Sequence, residues 1–149
     1  MRILLVGAGG VGTAFARIAA RRPFAELVIA DYDLGRAQRA AAARDGYEAV
    51  QLDARDVQAT AGLLRQHRCD ALMNATDPRF VMPLFRAALQ AGTHYLDMAM
   101  SLSYPHQDDP YHQTGVKLGD LAEQLIGGVP GEHVGQPRLH AHPRQREPS

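Results

Sequence analysis

Residues Arg2–Arg17 read RILLVGAGGVGTAFAR. Four apolar residues, Ile3 to Val6, run straight into a cluster of glycines, and an amphipathic stretch follows without a break. Glycines at 7, 9 and 12 have the G-x-G-x-x-G spacing. Each position has a mechanical reason: the first allows a tight turn out of a strand, the second lets a pyrophosphate approach the backbone, and the third permits close packing of the following helix. The backbone at Gly7, Gly9, Gly10, Val11 and Gly12 is therefore a candidate phosphate cradle, because a helix N-terminus offers unpaired N–H groups and partial positive charge. Glycine clusters are common in turns, so the motif needs its context.

That context is present. An acidic residue is expected to end the second strand, about 20 residues on, where it can accept hydrogen bonds from the ribose hydroxyls. Asp31 closes ELVIAD, 19 residues beyond Gly12. This pattern makes NAD the expected ligand, since a carboxylate at that point repels a 2′-phosphate. Arg36, five residues later, is placed to neutralise such a phosphate and keeps NADP open.

Working outward, short apolar runs alternate with helical patterns. Strands are expected at Ile3–Val6, Leu27–Ala30, Ala49–Leu52, Ala71–Ala75 and His94–Met98. The first helix should turn Val11, Phe15, Ile18 and Ala19 inward and stop at Arg22-Pro23. The second starts on Asp33 as N-cap and runs to Gly46. The third starts at Asp56 and buries Val57, Ala61 and Leu64, and the fourth carries Pro83 in its first turn and ends on Gly92. Strict βα alternation with short links predicts a doubly wound parallel sheet of the Rossmann type, order 3-2-1-4-5. Ligands then bind beyond the carboxyl ends of the strands. Asp53, after AVQL, is a candidate for the adenine amino group, and the Asn74-Ala75-Thr76 backbone for lining a dinucleotide. Asp97 lies on the same rim.

Composition narrows the class. The chain has 149 residues, with 16 basic against 16 acidic side chains and 46% apolar residues. A balanced charge gives no bias toward nucleic acid or an acidic membrane. No apolar run approaches the roughly 20 residues of a membrane span. A single cysteine, Cys69, excludes an internal disulfide, agrees with a reducing compartment and reads as a small core residue. A cytoplasmic protein is expected. The loop YPHQDDPYH holds His106, Asp108, Asp109 and His112, yet without a known metal-ligand spacing, so no metal is expected.

Composition shifts late in the chain. Residues 1–125 are expected to form one dinucleotide-binding domain, with a short helical patch at Leu118, Leu121, Ala122 and Leu125. Residues 126–149 are rich in Gly, Pro, His and Arg and are expected to be a disordered tail.

The stretches RILLVGAGGVGTAFARIAARR, LVIADYDLGRAQRAAA, VQLDARD and above all AALQAGTHYLDMAMSLS are similar to the N-terminal half of saccharopine dehydrogenase-like oxidoreductases. The resemblance covers about residues 1–125. It implies NAD(P) binding at Gly7, Gly9, Gly12 and Asp31, and an activity on the C–N bond of an amino acid or polyamine. It assigns no catalytic set, because the family's substrate domain follows this half. A tail standing in place of that domain implies a truncated or frame-shifted member, inactive alone. Family members often pair through the second domain, so the resemblance implies a homodimer, and a chain lacking that domain is expected to be monomeric or poorly soluble. The competing reading is a non-enzymatic nucleotide sensor gating potassium transport, which the small size and CDALMNATDP would suit.

Overall fold

A computed structural model describes residues 1–23, 25–98, 102–104 and 116–117. Five parallel strands form one sheet: β1 (Arg2–Val6), β2 (Glu26–Asp31), β3 (Glu48–Gln51), β4 (Ala71–Asn74) and β5 (His94–Asp97), in the order β3-β2-β1-β4-β5. Four helices connect them: α1 (Gly10–Ala19), α2 (Leu34–Ala41), α3 (Val57–Gln66) and α4 (Val81–Ala91). The expected Rossmann-type sheet and its strand order are therefore observed. Two short antiparallel strands follow, β6 (Leu102–Tyr104) and β7 (Val116–Lys117). The expected helical patch at 118–125, the tail at 126–149 and the histidine-containing loop lie outside the described residues.

Strand β1 explains the layering. It pairs with β2 on one side and β4 on the other, so neither edge meets water. Its residues alternate between two cores, as successive side chains of a strand must. Ile3 and Leu5 pack with Leu27, Ile29, Ala37 and Ala40 on the α1–α2 face. Leu4 and Val6 pack with Val28, Leu72, Leu64 and Leu84 on the α3–α4 face. Each buried leucine contributes about 2 kcal/mol of transfer free energy, so β1 anchors both layers.

Local chemistry sets the helix ends. Asp33 caps α2, its Oδ1 accepting the N–H groups of Gly35 at 2.8 Å and Arg36 at 3.3 Å. Asp56 caps α3 by accepting the Ala59 N–H at 2.9 Å. Pro83 sits in the first turn of α4, where a missing N–H costs nothing, and Gly92 ends it in the left-handed region at φ 69°.

Three expectations are corrected. In α3 the buried residues are Thr60, Ala61 and Leu64, and Val57 at the first position is only half-buried because it precedes the turn that packs on the sheet. Helix α1 buries Gly12, Ala16 and Ala19, whereas Val11 and Ile18 are 50% and 63% exposed. The small residues face inward because the helix rides close to the turn that precedes it. Helix α2 ends at Ala41, short of Gly46, because the chain turns there toward β3.

Candidate functional site

Strands β1 and β4 are neighbours whose following segments leave in opposite directions, one into α1 and one toward α4 by way of a short 3-10 turn at Pro78–Phe80. That divergence opens a crevice at the carboxyl edge of the sheet, the topological switch point of an open α/β fold.

The glycine turn forms one wall. Gly7 has φ +98°, and a methyl on it would lie 2.7 Å from the Ala75 carbonyl oxygen and 2.9 Å from the Thr76 Cγ2. A methyl on Gly12 would lie 1.8 Å from the Gly7 carbonyl oxygen. These two glycines are fixed by backbone crowding. Gly9 and Gly10 differ, since a methyl on either meets nothing within 4 Å. The space beside them is open to a ligand. Gly9 is the N-cap of α1 and no side chain caps this helix end, so the N-terminal N–H groups face that opening.

Asp31 closes the turn from the side. Its Oδ2 accepts the Ala8 N–H at 2.7 Å and its Oδ1 accepts the Asp33 N–H at 2.9 Å. The carboxylate is held in one orientation, and each oxygen keeps a further lone pair for a ribose hydroxyl. Gly7 adds a backbone bond to Ala30 at 2.8 Å. Reading the sequence identified Asp31 but not its bond to Ala8, which only the tertiary geometry brings about.

A cavity of about 340 Å³ lies beside Asp31, walled by Tyr32, Asp53, Arg55, Thr76 and Phe80. Its lining is mostly apolar, which suits a flat aromatic base. Asp53 stands in this wall, and its carboxylate is engaged by Arg55: Nη2 donates to Oδ2 at 2.6 Å and Nε to Oδ1 at 3.0 Å. The Arg55 hydrogen bonds hold the Asp53 carboxyl down at about 2, against an ordinary 3.8. Tyr32, Arg55 and Phe80 escaped the sequence reading. Their only signal was position: Tyr32 one residue past β2, Arg55 four residues past β3 in the loop before α3, and Phe80 in the turn before α4.

A second hollow of about 350 Å³ opens on the other side of the turn, between Ala8, Gly9, Thr13, Arg17, Arg36 and Arg39. Arg36 is exposed there, its Nε 3.8 Å from the Asp33 carboxylate.

On the β4 side, Asn74 is fully buried and its amide is satisfied at both ends. Its Oδ1 accepts the Thr76 N–H at 2.9 Å and the Thr76 hydroxyl at 2.7 Å. Its Nδ2 donates to the Tyr95 Oη at 3.0 Å, and that hydroxyl donates to the Asp97 Oδ2 at 2.7 Å. Burial pushes the Tyr95 phenol well above its usual range, so it stays a proton donor. The site thus gathers Gly7, Gly9, Gly10, Val11, Gly12, Asp31, Asp53, Asn74, Ala75 and Thr76 along one edge of the sheet, with Arg36 at its margin.

Cys69 is buried, and burial pushes its thiol up to about 11, which suits a core residue. Among the described residues there is no group of three or more His, Cys, Asp or Glu able to hold a metal ion, and no helix long and apolar enough to cross a membrane.

An open turn, an uncapped helix N-terminus, an oriented carboxylate and an apolar base-sized cavity fit a dinucleotide, and they define an NAD(P)-binding α/β domain. The chain belongs to the saccharopine dehydrogenase NADP binding domain family, whose model matches residues 3–125. It is 34% identical over 101 residues to a carboxyaminopropylagmatine dehydrogenase of Synechocystis sp., a match covering 66% of this chain and 25% of that protein. Among solved structures, it resembles the L-Glu-forming saccharopine dehydrogenase of Saccharomyces cerevisiae with a TM-score of 0.58 at 23% identity, over 64% of this chain and 21% of the other. It also resembles a myo-inositol dehydrogenase of Corynebacterium glutamicum, with a TM-score of 0.54 at 31% identity, over 65% and 27%. The chain spans about a quarter of the length of the curated relative it matches.

Proposed function

We propose that these residues form the coenzyme-binding half of an oxidoreductase that makes or breaks a C–N bond in an amino acid or polyamine derivative. The observation that carries this reading is the unit formed by the glycine turn and Asp31, with open space at Gly9 and Gly10 beside it. Family membership and the carboxyaminopropylagmatine dehydrogenase relative support the reaction class.

In this reading the α1 N-terminus and the turn bind the pyrophosphate, and Asp31 accepts both hydroxyls of the adenosine ribose. Tyr32, Thr76 and Phe80 border the adenine, and Asp53 holds Arg55 at the mouth of the same cavity rather than meeting the adenine amino group itself. The Asn74–Thr76 backbone lines the path toward the nicotinamide. When bound, the coenzyme accepts or supplies the hydride of the reaction.

NAD is the preferred coenzyme. Both oxygens of Asp31 are pinned by backbone N–H groups, so the carboxylate cannot turn away from a 2′-phosphate. Arg36 already lies beside the Asp33 carboxylate, which offsets part of its charge. In this reading the protein is cytoplasmic and these residues supply its coenzyme contacts.

Isothermal titration with NAD and NADP tests the reading, with absorbance at 340 nm in the presence of NAD and a panel of amino acids and polyamines. Binding of NAD is expected, and oxidation of a responsive amine in the panel identifies the substrate class. No binding of either coenzyme at millimolar concentration overturns the assignment.

A further inference from the structure

Of the polar chain Thr76–Asn74–Tyr95–Asp97 only Thr76 reaches the cavity beside Asp31; Asn74, Tyr95 and Asp97 do not line it, yet their hydrogen bonds are ordered. Asn74 is fully buried with every hydrogen-bonding group of its amide directed. A buried amide is costly unless satisfied, so its rotamer is fixed by its partners. Oδ1 takes two bonds from Thr76, which leaves the NH2 group to face Tyr95; the flipped amide would set two donors against the Thr76 N–H. The Tyr95 ring is itself held edge-on by Phe85, with centroids 5.5 Å apart. Its single hydroxyl proton goes to Asp97, so its lone pair is left to accept from Asn74. The shortest bond of each of these donors runs along the chain; the longer alternatives are from the Tyr95 hydroxyl to the Val81 carbonyl at 3.5 Å and from the Thr76 hydroxyl to the Asp77 carbonyl at 3.4 Å.

This chain joins two rims. At one end Thr76 presses on the glycine turn, its Cγ2 lying 2.9 Å from where a methyl on Gly7 would be. At the other end Asp97 stands at the carboxyl end of β5, beside Met98, whose N–H bonds to the Asn74 carbonyl at 3.1 Å. A doubly wound sheet binds a dinucleotide in two mononucleotide halves, one on each side of the switch point. Asp31, Tyr32 and Asp53 serve the half over β2 and β3. The half over β4 and β5 is bordered by the residues this chain holds in place.

We propose that Tyr95 is a positioning residue for the nicotinamide half of the site: through Asn74 it fixes the Ala75–Thr76 backbone, and through its own hydroxyl it aims the Asp97 carboxylate. The proposal rests on the dinucleotide reading. It assigns the Tyr95 hydroxyl no contact with the adenosine or the phosphates.

The test compares NADH with ADP-ribose, which keeps both phosphates and both sugars but lacks the nicotinamide. Tyr95→Phe retains the ring against Phe85 and removes only the hydroxyl. Affinity for NADH, read by its fluorescence, should fall roughly five- to tenfold, the effect of one or two lost hydrogen bonds, while affinity for ADP-ribose stays within about twofold. An equal loss for both ligands, or no loss for NADH, overturns the proposal. A second arm does not depend on that variant: Asp97→Ala removes the acceptor of the Tyr95 hydroxyl and should show the same selective loss, and Asp97→Asn, which restores an acceptor oxygen, should recover most of it. Failure of Asp97→Asn to recover assigns the effect to the carboxylate's charge and overturns the positioning role. If the unaltered chain binds neither NADH nor ADP-ribose, the dinucleotide reading itself fails. If it binds both equally, only the nicotinamide assignment fails.

Discussion

The Asp31 carboxylate accepts the Ala8 N–H at 2.7 Å, which makes the end of β2 and the glycine turn after β1 a single hydrogen-bonded unit. The consequence is that the residue expected to grip the ribose also sets the shape of the phosphate cradle. Loss of the carboxylate therefore affects fold and ligand together, and the two effects separate by coenzyme. Asp31→Ala should lower stability by about 1–3 kcal/mol, the range for a charge-assisted bond to a part-buried N–H. It should also weaken NAD binding while removing the repulsion of a 2′-phosphate. With Arg17, Arg36 and Arg39 around the neighbouring hollow, the NAD-over-NADP preference should fall by about tenfold or more, equivalent to about 1.4 kcal/mol. Thermal melts and paired titrations read both quantities.

The glycines of the turn should divide into two classes. Gly12→Ala sets a methyl against the Gly7 carbonyl, and Gly7→Ala combines a crowded contact with a left-handed backbone. Each should destabilise the domain by about 3 kcal/mol or more, a crowding cost at the upper end for a packed interior. Gly9→Ala meets only open space, so the melting temperature should stay within a few degrees while coenzyme affinity drops. If Gly9→Ala melts like the parent and binds NAD equally well, the pyrophosphate does not approach the backbone there.

The fold was legible because β1 and the glycine spacing carry strong local signals: a continuous apolar strand, a turn only glycine tolerates, and an acidic residue at the end of the next strand. The capping residues Asp33, Asp56 and Gly92 were legible for the same reason, since capping is local chemistry. The buried face of α1 was not. Hydrophobicity points to Val11 and Ile18, but close approach to the turn selects Gly12, Ala16 and Ala19 instead. Small residues carry little transfer free energy, so a reading weighted by apolar size misses them. The engagement of Asp53 by Arg55 and the Asn74–Tyr95 bond were hidden for different reasons. The first joins two neighbours whose side chains meet only once the loop is bent, and the second spans 21 residues.

Cys69 offers a probe of the core. The thiolate is the reactive form, and burial pushes this thiol up to about 11. At pH 8 in native buffer, a thiol-reactive disulfide reagent should label it only as fast as the domain opens, whereas labelling in denaturant should be complete at once. Coenzyme should slow the native reaction further, because a ligand that binds only the folded state lowers the population of the open one. Fast native labelling, unaffected by denaturant, would contradict the burial of this residue between β4 and α3.

The Asp53–Arg55 pair predicts how the adenine-side wall responds to acid. The folded-state pKa of Asp53 is about 2, below the ordinary 3.8, because Arg55 donates to both of its carboxylate oxygens. A carboxylate whose pKa is depressed on folding contributes stability that is fully present above the unfolded value and lost as pH falls through the folded one. The window therefore runs from about pH 4 down to about pH 2. The pair is exposed to solvent, so its contribution is small and salt-sensitive. The clean measurement is the titration of the Asp53 carboxyl carbon by NMR. Its midpoint should lie near 2 in low salt, rise with added salt, and return toward 3.8 in Arg55→Ala. The same variant should melt at a lower temperature than the parent above pH 4, and the difference should close below pH 2, where both carboxyls are protonated. A midpoint near 3.8 in the parent would mean that Arg55 does not hold Asp53, leaving that carboxylate open to the adenine amino group after all.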